Sequence, residues 1–334
     1  MSFMNLLDRI RRLPQLPVLV LFIVFLIWNA VMVKGFASPA SLREFLNLMV
    51  PLGCLTIGVS MVLVTGGMDM SVGANVCLVN VIIITLMGRK YGFTFAQATC
   101  VGLLAALGVG LLNGIVIGYL RVNALLATFA TQSVAQGCAL WVMPLPGGRG
   151  SRALISWFKT GNLFGVLPNC ALFLIIPLTV WYLLKWTPFG VWLYAVGRDE
   201  QKAFLSGGRT RLIKLCAYVF SALMAWAASV AFLGNIGSGD PNVGMSLTLS
   251  AIASTVIGGV SLSGGEGDAL GALLGAFFFS LITYTVFGAN LSAFHQDLAT
   301  GLIILMGVVG MTLFRTFRKS RPKSREAAPG ESHA

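Results

Sequence analysis

Long apolar runs dominate the chain, and short polar or glycine-rich segments interrupt them. A helix that crosses a bilayer needs roughly 20 consecutive apolar residues. Ten stretches approach that length: Pro17–Val33, Phe45–Thr65, Val72–Met87, Phe93–Leu120, Ala124–Met143, Phe164–Trp186, Leu212–Ile236, Leu247–Leu262, Ala269–Phe287 and Leu298–Phe314. The pattern predicts an all-α polytopic membrane protein with about ten transmembrane helices. Residues 1–334 read as one membrane unit: an N-terminal segment 1–16, a helix bundle 17–317 carrying a polar loop at 187–211, and a tail 318–334 too polar to order itself. Pro17–Val33 exceeds the 7–15 apolar residues of a signal-peptide core, so it reads as a retained first helix.

Two of the interruptions differ from ordinary turns. Val64 to Gly73 contains Gly66, Gly67, Asp69, Ser71 and Gly73, and Val256 to Asp268 contains Gly258, Gly259, Ser261, Ser263, Gly264 and Gly265. Glycine lets a helix stop or another segment approach closely. Irregular backbone at membrane depth survives only where protein covers it or it lines a wet cavity. A pair of such breaks points to a translocation pathway, which these residues are expected to shape. Gly110, Gly114 and Gly118 recur every four residues, as do Gly267, Gly271 and Gly275, and predict close helix packing. The segment Pro144–Asn162 is the longest expected exterior loop, with room for a short surface helix.

Composition agrees with the periodicity: of 334 residues, 57% are hydrophobic and only 10% charged. A net charge of +12 raises nucleic acid as a partner, but the basic residues are spread over loops and ends and form no binding face, so no nucleic acid is expected. Their distribution instead orients the chain. Most of the 23 Lys and Arg cluster near the N-terminus, at Arg121, between Lys185 and Lys214, and after Phe314, which predicts cytoplasmic N- and C-termini. Six cysteines stand singly in or beside apolar runs, with neither metal-ligand nor disulfide-framework spacing. No metal or cofactor is expected.

The apolar cores of the ten stretches contain no Asp, Glu, Lys, Arg or His. Asp69, Glu266 and Asp268 are expected at water-accessible cytoplasmic ends of helix hairpins. Ion-coupled carriers need ionisable groups within the membrane, and the chain also lacks the G-x-x-x-x-G-K-[ST] phosphate loop. Both absences point to a translocation subunit driven by a separate motor. Uncharged polar residues do occur in the helices. Thr128, Gln132 and Gln136 share a face at four-residue spacing, and with Asn75 and Asn113 they are candidate contacts for a hydroxyl-rich solute. Interhelical hydrogen bonding is the competing role for each of them.

In the loop 187–211, Asp199 is a natural N-cap, Glu200 suits the positive end of a helix dipole, and Gly207 and Gly208 form a stop. A two-turn helix from Glu200 to Ser206 follows, with Ala203, Phe204 and Leu205 as its apolar contacts. So short a helix is marginal in water and must be docked, on this protein or on a partner.

These segments together resemble the permease subunits of ABC importers for ribose, xylose, galactofuranose, autoinducer-2 and related monosaccharides, within a family shared with branched-chain amino acid permeases. The resemblance is carried by Gly66-Gly67-Met68-Asp69-Met70-Ser71-Val72-Gly73, by Gly110 to Gly114, by Thr187-Pro188-Phe189-Gly190 with Tyr194 to Gly197 and Ala203 to Gly207, and by Ile257-Gly258-Gly259 with Ser261 to Gly265. It implies a non-catalytic transport subunit of a bacterial inner membrane. Its partners would be a cytoplasmic ATP-binding subunit, a periplasmic solute-binding protein and a second permease subunit, identical or a sister chain. Gly190, Tyr194, Gly197, Asp199, Glu200, Ala203, Phe204, Ser206 and Gly207 would then form the loop that couples to the ATPase. A stand-alone secondary carrier, or an enzyme acting on lipid-linked substrates through Asp69, Glu266 and Asp268, are the alternatives of other classes.

Overall fold

The computed structural model describes residues 16–33 and 35–288, together with residues 298, 301, 302 and 305. The tenth expected span, the first 15 residues and the tail lie wholly or mostly outside the described residues. Twelve numbered helices follow in order: α1 (Leu16–Met32), α2 (Pro39–Val64), α3 (Val72–Met87), α4 (Phe95–Gly118), α5 (Ala124–Val142), α6 (Arg152–Lys159), α7 (Leu172–Lys185), α8 (Pro188–Arg198), α9 (Glu200–Leu205), α10 (Thr210–Ile236), α11 (Met245–Ile257) and α12 (Ala269–Gly288). Between α6 and α7 lie a small hairpin, β1 (Asn162–Leu163) with β2 (Leu167–Pro168), and one 3₁₀ turn, Asn169–Ala171.

Local chemistry sets the boundaries. Ser38 caps α2 by accepting the Ser41 amide at 3.2 Å, and Pro39 stands at the first helical position, where it loses no bond. α2 therefore begins at Pro39 and not at the first apolar run, Phe45. Thr94 and Gln97 form a capping box on α4, and Asn123 caps α5 through the amides of Leu125 and Leu126. α10 stops at Gly237, in the left-handed region at φ 74°.

α2 and α10 form the centre. From Met49 onward α2 is buried on every face, as expected of a helix that is apolar all round. The Gly110, Gly114 and Gly118 ridge of α4 faces α10. A Cβ there would press on Tyr218 and Ala222, on Leu215, and on the Arg211 carbonyl respectively. This is the small-residue packing that replaces a hydrophobic drive within lipid. The second glycine series behaves differently: Gly271 and Gly275 lie on α12 against α11, but Gly267 sits outside any helix at φ 124°. The loop helix α6 docks Phe158, fully buried, against Gly234 of α10.

Among the described residues, five helices (α2, α4, α5, α10 and α12) are long and apolar enough to cross a membrane by length and composition. The α7–α8 pair, bent by 82°, is a sixth at most. The sixth expected span, Phe164–Trp186, is shortened because Phe164 and Gly165 adopt left-handed turn conformations in the hairpin. Pro188 then starts a new helix where the sequence pattern placed only loop. α3 and α11 have 16 and 13 residues, about 24 and 20 Å at 1.5 Å per residue, against a hydrocarbon core of about 30 Å. Each adjoins one glycine break.

Candidate functional site

The two glycine breaks and the loop 187–211 meet at one end of the bundle. The Gly265 amide donates to the Val64 carbonyl at 2.9 Å, joining the late break to the end of α2. Gly197, on the last turn of α8, fills the space beside that bond, and a Cβ there would collide with the Val64 carbonyl and the Gly265 amide. Gly264, at φ 81°, leaves no room for a Cβ against Gly66 or the Gly197 carbonyl. Glycine is required here for both conformation and contact. Sequence reading identified each segment but not their mutual contact.

Asp69 is 2% exposed, which corrects the expectation of a water-accessible turn. The turn folds inward, and Asp69 accepts from the Ser71 amide (3.0 Å), the Ser71 hydroxyl (2.6 Å) and the Ser221 hydroxyl of α10 (2.8 Å). Asn113 Nδ2 donates to Ser71 Oγ at 2.8 Å and extends the network to α4. The carboxyl group stands just before α3, where the positive end of the helix dipole and these donors offset only part of its desolvation. Asp268 is also partnered, as described below, while Glu266 is exposed.

α9 forms as expected. Asp199 accepts the Lys202 amide at 2.9 Å, and that amide, with the Lys202 ammonium, holds its carboxyl below the usual carboxylate range. The cap therefore persists at neutral pH and is lost only as pH falls through that lowered value. Gly207, at φ 86°, ends the helix. α9 docks on this chain through buried Ala203 and an ion pair from Glu200 to Lys214 of α10. Its remaining apolar contacts point outward, Phe204 being 55% and Leu205 80% exposed. α8, not foreseen as a helix, supplies Tyr194 and Gly197.

A cleft of about 640 Å³ opens between α9, α10 and the α4–α5 turn, walled by Gly66, Gly67, Asn123, Phe204 and Tyr218 among others. Tyr218 donates to the Met68 carbonyl at 3.1 Å. None of the five candidate solute contacts lines this cleft, although Thr128 stands directly behind its Met68 and Ala124 walls. Thr128 meets the first break through the Met70 amide at 3.1 Å. Gln136 donates to Pro241 and Asn242 at 2.9 and 3.0 Å, near the opposite end of the bundle. The side-chain carbonyls of Asn75, Asn113, Gln132 and Gln136 are buried and without a partner among the described residues. Tyr218, Ser221 and Lys185 were missed as site residues. The three-residue spacing of Tyr218 and Ser221 on one helix face was the available signal.

The ribose import permease protein RbsC of Escherichia coli (strain K12) is 29% identical over 259 residues, 76% of this chain and 80% of the relative. The autoinducer 2 import system permease protein LsrC of Yersinia pseudotuberculosis serotype O:1b (strain IP 31758) is 35% identical over 256 residues, 75% and 71% of the two chains. LsrC of Yersinia enterocolitica serotype O:8 / biotype 1B (strain NCTC 13174 / 8081) is 34% identical over 256 residues, 75% and 69%. No solved structure matches at a significant level. The match of residues 41–311 to the family described as "Branched-chain amino acid transport system / permease component" takes in both glycine breaks and the loop between them, and the chain belongs to that family of multi-pass membrane transport subunits.

Proposed function

We propose that this chain is the membrane-spanning subunit of an ATP-driven, binding-protein-dependent importer that carries a monosaccharide or sugar-like solute into the cytoplasm of a bacterium. The observation that carries the reading is the seat of Gly197 between Val64 and Gly265. A load on the α8–α9 segment acts directly on both glycine breaks, so a rigid-body push from outside the membrane reaches the pathway without an intervening flexible loop. The outward Phe204 and Leu205 offer an apolar contact to a cytoplasmic ATP-binding subunit. The relatives named for ribose and autoinducer 2 favour a sugar-like cargo. Asn75, Asn113, Thr128, Gln132 and Gln136 are assigned as solute contacts during translocation, and Gly66 to Gly73 and Gly258 to Gly265 as pathway walls. The proposed topology has ten spans and cytoplasmic termini, in an inner membrane, with a periplasmic solute-binding protein and a second permease subunit completing the assembly.

The test is reconstitution of the permease with its ATP-binding and binding-protein partners in vesicles. ATP-dependent accumulation of the binding protein's sugar is expected. A branched-chain amino acid as that ligand would move the substrate assignment alone. The buried Asp69 gives ion coupling a specific foothold, so a second arm imposes a proton or sodium gradient on the permease alone. Accumulation there would overturn the ATP-driven reading.

A further inference from the structure

α7 ends at Lys185, and α8 folds sharply back from it. A Cβ on Gly190 would collide with the Lys185 carbonyl, so glycine is what permits the close return. The Lys185 ammonium reaches Asp268 Oδ2 at 2.8 Å, and the Tyr182 hydroxyl donates to the same oxygen at 3.0 Å. Around the ammonium stand the rings of Trp181, Tyr182 and Tyr194, their centroids at 5.3, 5.4 and 5.9 Å. The Tyr194 hydroxyl donates to the Gly267 carbonyl at 2.6 Å.

Exposed ion pairs hold little, because solvent competes and two long side chains must be ordered. This pair differs: its side chains are 28% and 16% exposed, and aromatic faces back the cation. Its position matters more. Gly264, Gly265 and Gly267 offer α8 no side chain to push against, and Glu266 points to solvent. Asp268 is the first side chain after Gly267, held by Tyr182 and Lys185 at the end of α7 while Tyr194 of α8 holds the Gly267 carbonyl. It leads straight into α12, where its carbonyl accepts the Ala272 amide at 3.1 Å.

We infer that Lys185 and Asp268, with Tyr182 and Tyr194, form a clamp at the α7–α8 corner through which a movement of the α8–α9 segment reaches the second glycine break and α12. The inference rests on the importer reading above. Lys185 and Asp268 are positioning residues, and neither needs to touch solute.

The experiment uses the full reconstituted assembly and reads solute imported per ATP hydrolysed, alongside the thermal midpoint of the purified complex. Lys185→Met and Asp268→Asn are each expected to lower that ratio roughly 5-fold or more. The double variant should fall no further than the worse single one, and Lys185→Arg, which keeps the charge over the rings, should retain the ratio. Singles that import with an unchanged ratio overturn the clamp. So do variants whose thermal midpoint falls while the ratio holds, since the pair is then only structural. If the unsubstituted complex imports without ATP, the importer reading fails and takes the clamp with it.

Discussion

At the scale of single residues, burial rather than type decides what Asp69 does. Its carboxylate closes three donors from Ser71 and Ser221 inside the bundle. Asp69→Ala leaves those donors without an acceptor, and a buried polar group left unpaired costs about 1–3 kcal/mol. The expected result is a lower thermal midpoint in detergent, with Asp69→Asn milder because one side-chain oxygen remains to accept. An Ala variant as stable as the parent would remove the network from the account. The residue itself was conspicuous in sequence as the one carboxylate of the first break. Its burial was not, because a turn between two apolar runs gives no sign of whether it faces water or folds back between α4, α5 and α10.

At the scale of elements, local signals served well where a helix end depends on its own neighbours. Asp199 as cap and Gly207 as stop defined α9 from a few adjacent residues, and the structure keeps both. α8 was not anticipated, since its apolar and aromatic residues and its two glycines resemble loop as much as helix until Gly190 packs on Lys185. Outward-facing Phe204 makes a prediction at this scale. Phe204→Ala removes apolar area exposed on α9 and is expected to lower coupled import while leaving membrane insertion and the fold unchanged. Gly197→Pro, which forces bulk against Val64 and Gly265, is expected to uncouple more severely. Import at the parent rate in both variants would remove this loop from the drive mechanism.

At the scale of the molecule, the segments sort to two ends. The first break, the α4–α5 turn, α9 and Leu262 line one cleft. Arg43 reaches Thr160 and Asn162 at 2.8 and 2.6 Å, and Gly147 pairs with Gly239, at the other end. The proposed orientation, which follows the Lys and Arg distribution, puts the first group on the cytoplasmic side. Cysteines introduced at Leu205 and Phe164, both strongly exposed, are therefore expected to react with an impermeant thiol reagent from opposite sides of the membrane, Leu205→Cys from the cytoplasmic side. Labelling of both from one side would break the proposed topology.

What the chain determined by itself was what neighbouring residues settle: apolar runs long enough to be membrane helices, caps such as Asp199, glycine ridges such as Gly110 to Gly118, and the breaks. Tertiary structure alone decided that Gly197 lies between Val64 and Gly265, that Asp69 is enclosed, and that Lys185 holds Asp268 across 83 positions of chain. The physical reason is that lipid is as apolar as a protein core. A hydrophobic run therefore does not encode which of its faces meets another helix, and close backbone contact depends on two distant segments at once.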